Sequence, residues 1–331
     1  MKEIKTLLSS KKNIVITMHK NPDCDALGSS LGLAHILSSI GHYVKVIPPN
    51  NYPDFLKWLP GQDYIKVYDE NVLECQDLIN NSDVVFCLDF NNIKRLGDMQ
   101  FVIAKSQAFK ILIDHHQDPF DFCDFMFSFP DKSSTCEIIY DFAAKLNLLD
   151  NINSNSANCL YAGMVTDTGG FAYSCVTSET LRVASFLINK GADVVKINQS
   201  LNDYSYNRLK LLGYSIFNKT QYLENLKTSI ISLTVKELSD FDFQKGDTEG
   251  IVNYGLSIKD CVLAVFFIEQ DKMIKISFRS KGNFDVNVFA RKYFNGGGHI
   301  NAAGGMSKDT LDNTINYFKE LLLNYSKDLN E

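Results

Sequence analysis

The chain has 331 residues, enough for two domains of ordinary size, and its hydrophobic fraction of 45% and charged fraction of 22% are typical of a soluble globular protein. A net charge of −6 argues against a protein that coats long duplex nucleic acid through a broad basic face. No apolar run approaches the roughly 18–20 residues of a membrane span. We therefore expect no membrane association. The eight cysteines form no C-x-x-C pair, so we expect reduced thiols and a cytoplasmic location.

Short apolar runs alternate with helical stretches in the first part of the chain. The segment 26–40 carries Leu27, Leu31 and Ala34 at helical spacing, and Gly41 is a suitable stop for that helix. Strand–helix alternation of this kind predicts an α/β fold with a mostly parallel sheet flanked by helices. The runs that we interpret as strands are 13–18, 43–47, 64–68, 84–88 and 110–113.

The pattern becomes mostly helical after residue 133, and a second strand-rich pattern begins near residue 228. The helices predicted in the middle of the chain are 136–149, 155–166, 178–190 and 194–212. The later elements are strands over 230–234, 262–268 and 273–278, a helix over 285–294 and a last helix from residue 310. We therefore expect an N-terminal domain over 1–190, a helical connector over 191–227 and a smaller C-terminal α/β domain over 228–331.

The loop after the first predicted strand holds one histidine and two aspartates at metal-ligand spacing. Pro22 fixes one φ angle and forces an irregular loop, so that His19, Asp23 and Asp25 can turn toward a common point. The alternative is that Asp23 or Asp25 only caps the following helix, as aspartate commonly does. Capping accounts for one aspartate and leaves the other two side chains unexplained.

Two further predicted strands end in side chains of the same kind. Asp89 follows one of them, and Asp114, His115 and His116 follow the next. A single one of these could be an ordinary turn residue, but two adjacent histidines beside the core are costly without a function. Asp167, in the break between two predicted helices, could be a helix cap. The carboxyl ends of strands in an open α/β sheet share one crevice, so we expect the strand-end residues to meet there.

Together the candidates form a hard, oxygen-rich ligand set with some imidazole. Such a set favours manganese, magnesium or iron over a structural zinc site, which would need cysteines. Six ligands are too many for one catalytic ion and suit two ions about 3.5–4 Å apart with one bridging carboxylate, the arrangement used for in-line phosphoryl displacement. The candidate metal ligands are His19, Asp23, Asp25, Asp89, His115 and Asp167.

A glycine cluster near the C-terminus is a candidate anion site. Consecutive glycines at Gly296, Gly297 and Gly298 allow close approach of a ligand to the backbone, and His299 adds a donor. Arg279 upstream could bind a phosphate through two hydrogen bonds. Six lysines and arginines between residues 272 and 292 favour phosphate binding. The alternative is a flexible turn before the last helix.

The motifs His-x-x-Pro-Asp-x-Asp, Asp89, Asp-His-His, Thr-Asp-Thr-Gly and Gly-Gly-Gly-His occur in this order along the chain. In this respect the chain closely resembles the DHH phosphoesterase superfamily over nearly its whole length. The C-terminal Gly-Gly-Gly-His resembles the associated nucleotide-binding domain of the nanoRNase branch. The resemblance implies a catalytic, metal-binding N-terminal domain and a substrate-binding C-terminal domain.

The resemblance also implies a role for each motif residue. One manganese ion would be held by His19, Asp23 and Asp89, and the other by Asp25, Asp89, His115 and Asp167. Asp89 would bridge the two ions, for which magnesium or cobalt are alternatives. His116 would lie beside the scissile phosphate, and Asp114 would orient one of the histidines. Arg279, Gly296–Gly298 and His299 would bind the substrate.

The branch of the superfamily implies the activity. We expect hydrolysis of short oligoribonucleotides, nanoRNA of two to five nucleotides, to 5′-mononucleotides, together with removal of the 3′-phosphate from 3′-phosphoadenosine 5′-phosphate. The alternatives are the phosphatase activity alone, a linear or cyclic dinucleotide phosphodiesterase, and a nucleotide-binding protein without catalysis. The partners expected are therefore short RNA and small nucleotides, with no long duplex; a homodimer is left open.

Overall fold

The computed structural model describes residues 1–330 and divides into two compact units, Met1–Asp203 and the chain from Tyr204 onward. The division falls inside the segment 191–227 that the sequence suggests as a connector. No helix of the described residues is long and apolar enough to cross a membrane.

The N-terminal unit alternates strands and helices before it becomes helical. Its strands are β1 (Asn13–Met18), β2 (Tyr43–Val46), β3 (Val84–Leu88), β4 (Phe109–Asp114) and β5 (Phe125–Ser128). Its helices are α1 (Lys2–Leu7), α2 (Cys24–Ser39), α3 (Val72–Asn80), α4 (Gln100–Lys105), α5 (Thr135–Leu146), α6 (Ser154–Asp167), α7 (Ser178–Asn189) and α8 (Val194–Leu201). A 3-10 segment, Ile93–Met99, connects β3 to α4.

The five strands form an entirely parallel sheet in the order β2-β1-β3-β4-β5, which confirms the predicted sheet. All residues of β3 are buried, as expected for a parallel strand covered on both faces. In β1, Ile14 and Ile16 pack with α2, whereas Val15 packs with α3 and α4 on the other face. The register aligns Met18 with Leu88 and Leu88 with Ile113, so the residues that follow these three strands emerge side by side.

Helices α2 and α6 pack closely because glycines lie at their contact. A Cβ atom on Gly28 would lie 2.5 Å from the carbonyl oxygen of Cys159. A Cβ atom on Gly163 would overlap the Sγ atom of Cys136 and lie 2.9 Å from Oδ1 of Asp25. Only glycine lets these backbones approach so closely, and the approach brings the end of α6 to the carboxyl edge of the sheet.

The C-terminal unit contains a six-stranded mixed sheet in the order β10-β11-β9-β8-β7-β6. Its strands are β6 (Thr220–Leu223), β7 (Thr228–Leu233), β8 (Leu263–Gln270), β9 (Met273–Ser280), β10 (Gly297–His299) and β11 (Ala302–Ser307). Its helices are α9 (Tyr206–Asn218), α10 (Val235–Asp240), α11 (Ile251–Leu256), α12 (Val286–Tyr293), α13 (Leu311–Leu323) and α14 (Ser326–Asn330). Strands β7 and β8 are parallel and are joined through α10 and α11, whereas the other pairs are antiparallel.

Three predicted elements differ from the structure. The segment 64–68 is not a strand, because its backbone makes a single parallel bridge, between Val46 and Ile65. The predicted helix 194–212 is two helices, because Ser205 accepts a hydrogen bond from the backbone N–H of Arg208 and begins α9 as a new helix. The flexible turn that was the alternative interpretation of the glycine cluster is wrong, since residues from Gly297 form the β10–β11 hairpin.

A stability prediction concerns Glu237, which closes a capping box with Thr234 at the start of α10. Partial burial raises its pKa, but hydrogen bonds from Lys219, from the Thr234 backbone and from Tyr214 outweigh burial and lower the pKa from 4.5 to about 2. The folded pKa is depressed, so the stabilisation is present above pH 4.5 and is lost as the pH falls toward 2. Replacing Glu237 with glutamine should therefore cost about 1–2 kcal/mol at neutral pH.

Urea unfolding at neutral pH and near pH 3 measures this effect. The difference between wild type and Glu237→Gln should shrink at the lower pH. Glu320→Gln, at an exposed position on α13, is the matched control and should leave the unfolding midpoint unchanged. Equal midpoints for the two variants at neutral pH would contradict the prediction.

Candidate metal centre

The loop after β1 directs His19 and Asp23 toward the end of β3. Asp23 is both a cap and a candidate ligand: its Oδ1 accepts from the N–H of Ala26 at 3.0 Å, and its Oδ2 lies 3.6 Å from Nε2 of His19. Nδ1 of His19 lies 2.9 Å from the carbonyl oxygen of Lys20. When Nδ1 donates that hydrogen bond, Nε2 presents its lone pair to the carboxylates, which is the form that binds a metal ion.

Asp89 lies at the centre of the cluster, directly after β3. Its backbone is left-handed, with φ of +63°, a conformation that aspartate adopts more readily than most residues. Its Oδ2 lies 3.5 Å from Nε2 of His19, and its Oδ1 lies 3.5 Å from Nε2 of His115. The hydroxyl of Thr135 donates to Oδ1 at 2.9 Å. The two oxygens of one buried carboxylate therefore face two different histidines.

Asp25 is held by the N-terminus of α5. The backbone N–H groups of Thr135 and Cys136 donate to its two oxygens at 2.7 and 3.0 Å. Its Oδ2 lies 3.8 Å from Nε2 of His115. This arrangement fixes the orientation of a carboxylate that is almost completely buried.

His115 connects the second half of the cluster. Its Nδ1 lies 3.4 Å from the carbonyl oxygen of Lys132, and its Nε2 lies 3.2 Å from Oδ2 of Asp167 at the end of α6. Ligand atoms of Asp25, Asp89 and His115 lie within 4.8 Å of one another, as do those of His19, Asp23 and Asp89. The structure thus brings together all six residues predicted as metal ligands.

The charges of this cluster fit divalent cations. Burial and Arg95 lower the pKa of His19, but its hydrogen bonds to Asp23 and Asp89 raise it overall, to about 9. Burial and the neighbouring charge of Asp89 raise the pKa of Asp25 to about 7. The cluster therefore takes up protons to offset its own negative charge, and divalent cations would offset the same charge.

His116 lies beside this cluster, between Asp114 and Arg95. Its Nδ1 is 2.7 Å from Oδ1 of the fully buried Asp114, and its Nε2 is 2.9 Å from Nη1 of Arg95. A guanidinium group can only donate, so Nε2 accepts and Nδ1 carries the proton that is donated to Asp114. Burial and the charge of Arg95 hold the pKa of His116 well below its usual value. Asp89, Asp114 and His116 also bring ligand atoms within 4.8 Å, but the Asp114–His116 contact is a hydrogen bond.

The predicted substrate-binding residues lie in the C-terminal unit, on β9 and the β10–β11 hairpin. His299 and Arg279 both pair with Ala302, so the two side chains share one face of the sheet across three adjacent strands. Nη1 of Arg279 donates to the carbonyl oxygen of Phe278 at 2.9 Å. His299 and Arg279 are therefore two neighbouring groups that are able to bind an anion.

The three glycines of the hairpin differ in their surroundings. A Cβ atom on Gly296 would overlap the carbonyl oxygen of Gly304, and one on Gly298 would overlap that of Ala302. The N–H of Gly298 donates to Oδ1 of Asn287 at 2.9 Å, and the N–H of Gly296 donates to the carbonyl oxygen of Ala290 at 3.2 Å. The hairpin itself therefore accounts for these two glycines.

Gly297 has more space. The nearest atoms to a Cβ placed on it would be at 3.7 Å, on Arg291 and Asn287. Nε of Arg291 donates to Oδ1 of Asn287 at 3.0 Å, which holds the guanidinium beside the hairpin. The open backbone next to an arginine keeps Gly297 as the strongest of the three glycine candidates.

The chain matches the DHH family, N-terminal domain, over residues 13–164 and the DHHA1 domain over residues 227–326. It is 30% identical, over 95% of its length and 96% of the relative's, to a Streptococcus mutans protein named probable bifunctional oligoribonuclease and PAP phosphatase NrnA. The chain belongs to the DHH phosphoesterase family. It is also 26% identical to the cyclic-di-AMP phosphodiesterase GdpP of Bacillus subtilis, over 97% of this chain and 49% of that protein.

Two solved structures share the fold of this chain. The crystal structure of an exopolyphosphatase-related protein from Bacteroides fragilis superposes with a TM-score of 0.95 at 42% identity and covers 100% of this chain and 97% of that one. RecJ from Thermus thermophilus, in complex with Mn²⁺, superposes with a TM-score of 0.56 at 14% identity over 99% of this chain and 54% of that one. The second likeness shows a shared fold.

Several residues around this DHH-family centre were missed in the sequence. Arg95 lies in a 3-10 segment without periodicity, and Thr135 lies 110 residues after its partner Asp25 and shares no sequence motif with it. One signal was available: Ser134 and Glu137 have capping-box spacing at the start of α5, and Ser134 accepts from the N–H of Glu137. This spacing predicts the N-terminus of a helix, but it does not predict which carboxylate that N-terminus faces.

Proposed function

We propose that this protein is a manganese-dependent phosphodiesterase that hydrolyses short oligoribonucleotides to 5′-mononucleotides. The observation that carries the proposal is Asp89, whose two oxygens face two separate histidines inside a buried cluster of carboxylates. A bridging carboxylate is the feature that a two-ion centre for phosphoryl transfer requires. The oligoribonuclease names of relatives that match nearly the full chain support the choice of substrate.

The ligand assignment follows the two halves of the cluster. His19, Asp23 and Asp89 would hold one ion, and Asp25, Asp89, His115 and Asp167 would hold the other. When bound, such ions lower the pKa of water toward neutrality and stabilise charge on phosphoryl oxygens. Manganese and magnesium suit this ligand set, and the RecJ structure with Mn²⁺ has the same fold.

Neighbouring residues of the protein orient the side chains of the cluster. Asp114 fixes the ring of His116 through Nδ1, so that Nε2 stays on the side of the cluster where Arg95 lies. The N-terminus of α5 and the hydroxyl of Thr135 hold Asp25 and Asp89 in place before any substrate arrives. This preorganisation reduces the reorganisation needed in the transition state. In the C-terminal unit, Arg279 and His299 would bind a phosphate or sugar of the part that is not cleaved.

Substrate turnover tests the proposal. The manganese-loaded protein should release mononucleotides from a diribonucleotide and phosphate from 3′-phosphoadenosine 5′-phosphate. Phosphate release from 3′-phosphoadenosine 5′-phosphate without cleavage of the diribonucleotide would indicate a phosphatase. Cleavage of only cyclic or linear diadenylate would favour the reading suggested by the GdpP relative. Absence of turnover of all of these substrates with manganese bound would favour a nucleotide-binding protein without catalysis.

A variant tests the role of the C-terminal unit. His299→Ala should lower kcat/KM for the diribonucleotide by about 10–100-fold, because one charged or polar contact to the substrate is lost. Turnover of bis-p-nitrophenyl phosphate, which has no nucleotide to bind, should change far less. Ile300→Ala, at the exposed next residue, is the control and should change neither. An equal loss on both substrates would exclude a substrate-binding role for His299.

A further inference from the structure

Arg95 is a half-buried cation beside the metal centre, and among residues 1–330 no carboxylate lies within ion-pair distance of its guanidinium group. Its Nη1 donates to Nε2 of His116 at 2.9 Å. Within residues 1–330, no aspartate or glutamate forms an ion pair with its guanidinium group, although Asp23, Asp89 and Asp114 all lie on neighbouring segments. A guanidinium group has five N–H donors, and the contact with His116 uses one of them.

The backbone of Arg95 is anchored to the loop that carries the first ligands. Its carbonyl oxygen accepts from the N–H of Lys20 at 2.8 Å, and its own N–H donates to the carbonyl oxygen of Asn92 at 2.9 Å. A fixed backbone and a long side chain allow the guanidinium to move over a few ångströms without a change in the fold.

A buried or half-buried charge is normally in direct contact with an opposite charge, and no carboxylate of residues 1–330 makes that contact with Arg95, so a direct anionic partner would come from outside the protein. His116 holds the guanidinium by a neutral acceptor, which is weaker than a contact with an anion. A phosphate group has three features that this position requires: negative charge, several acceptor oxygens and the geometry to accept two parallel hydrogen bonds from an arginine.

We propose that Arg95 is a catalytic residue that binds a non-bridging oxygen of the scissile phosphate and gives up its hydrogen bond to His116 when substrate enters. The inference rests on the proposed phosphoesterase function. It assigns to the guanidinium group of Arg95 the role of neutralising negative charge on the scissile phosphate. Without substrate, Arg95 occupies Nε2 of His116. With the phosphate bound, Nε2 becomes available to the substrate's oxygens, so binding of the phosphate and release of His116 are one event.

Arginine and lysine should differ at this position. The planar fork of arginine can contact two oxygens at once, whereas lysine supplies one point charge on a shorter reach. Arg95→Lys should therefore recover only part of the activity that Arg95→Ala loses. The matched control is Lys94→Ala, which removes an exposed cation from the next position of the same 3-10 segment.

Steady-state turnover of the diribonucleotide by the manganese-loaded protein is the first measurement. Arg95→Ala should lower kcat by about 10²–10³-fold, the range for loss of one transition-state donor. Millimolar guanidinium should restore at least about tenfold of that loss, because the free cation can occupy the vacated position. Manganese affinity, measured by calorimetry without substrate, should stay within about threefold of the wild type, because Arg95 is not a ligand.

Two results would overturn the proposal. Wild-type turnover by Arg95→Ala would show that the arginine does not touch the reacting phosphate. Loss of manganese binding without guanidinium rescue, in both Arg95→Ala and Arg95→Lys, would show that Arg95 only positions the centre.

A binding measurement separates this inference from the proposed function. Adenosine 5′-monophosphate is titrated into the manganese-loaded wild type, Arg95→Ala and Lys94→Ala, and no turnover is needed. Weaker binding by about 10–100-fold in Arg95→Ala alone would support the phosphate contact even if the wild type cleaves no oligonucleotide. Equal affinity in all three proteins would overturn it, whatever the wild type hydrolyses.

Discussion

Replacement of Asp89 by asparagine should abolish turnover while leaving the fold intact. Asparagine keeps the shape and an oxygen that can accept from Thr135, but it loses the charge and the second carboxylate oxygen. Asparagine then cannot offer an oxygen on the His19 side and on the His115 side at once, so at least one half of the cluster would lose a ligand. We expect kcat to fall by about 10⁴-fold, the scale seen when a unit of the catalytic machinery is removed.

Metal binding and stability give independent measurements of the same change. Wild-type thermal stability should rise with manganese concentration, because a ligand that binds only the folded state stabilises it by mass action, and Asp89→Asn should lose most of that rise. In the metal-free protein the substitution should be neutral or stabilising, since it removes one of several buried carboxylates. Asp98→Asn, at an exposed position, is the control. Full manganese affinity in Asp89→Asn would contradict a bridging role.

Replacement of Gly163 by alanine should destabilise the fold and displace Asp25, a candidate ligand of the same centre. The added methyl group would overlap Sγ of Cys136 and lie 3.0 Å from Cα of Asp25. These contacts are with one helix backbone and a short side chain, so α6 must move away from α2 and α5. We expect a cost of about 1–3 kcal/mol, typical of overpacking, and a fall in manganese affinity as Asp25 is displaced.

Gly213 provides the contrasting variant. It lies inside α9, and a Cβ atom placed on it would meet nothing within 4 Å. Gly213→Ala should therefore stabilise the protein by about 0.5–1 kcal/mol, because alanine has less freedom to lose than glycine on helix formation. Thermal unfolding followed by circular dichroism compares the two. An unfolding temperature for Gly163→Ala at or above that of the wild type would show that the α2–α6 contact is not as close as described.

The sequence predicted that the candidate ligands come together, because three of the six follow directly on buried strands. His19, Asp89 and His115 each stand one position beyond β1, β3 and β4, and a parallel sheet places such ends side by side. Asp167 is different, since it reaches the cluster only through the packing of α6 on α2. Its motif was visible in the sequence, but the physical reason for its position was not.

The supporting residues could not be predicted, because their partners are distant in the chain. Thr135 contacts both Asp25 and Asp89, and Arg95 contacts His116, through tertiary packing without local periodicity. Strand β5 was missed because its short, aromatic and half-exposed segment has no clear alternation. The glycine cluster was interpreted through its permissive backbone, whereas close contact between the strands of a hairpin explains Gly296 and Gly298.

The order of the ligands along the chain has a consequence for biosynthesis. The ligand segments begin at His19 and end at Asp167, so a ribosome must have made α6 before the last carboxylate exists. Before that point the nascent chain holds an incomplete set of ligands from separate strands, which binds cations weakly. Under the proposed ligand assignment, metal acquisition would therefore be a late event that follows docking of α6 on α2. Under the same assignment, a shortage of metal in the cell would leave finished protein without activity and would not block its synthesis.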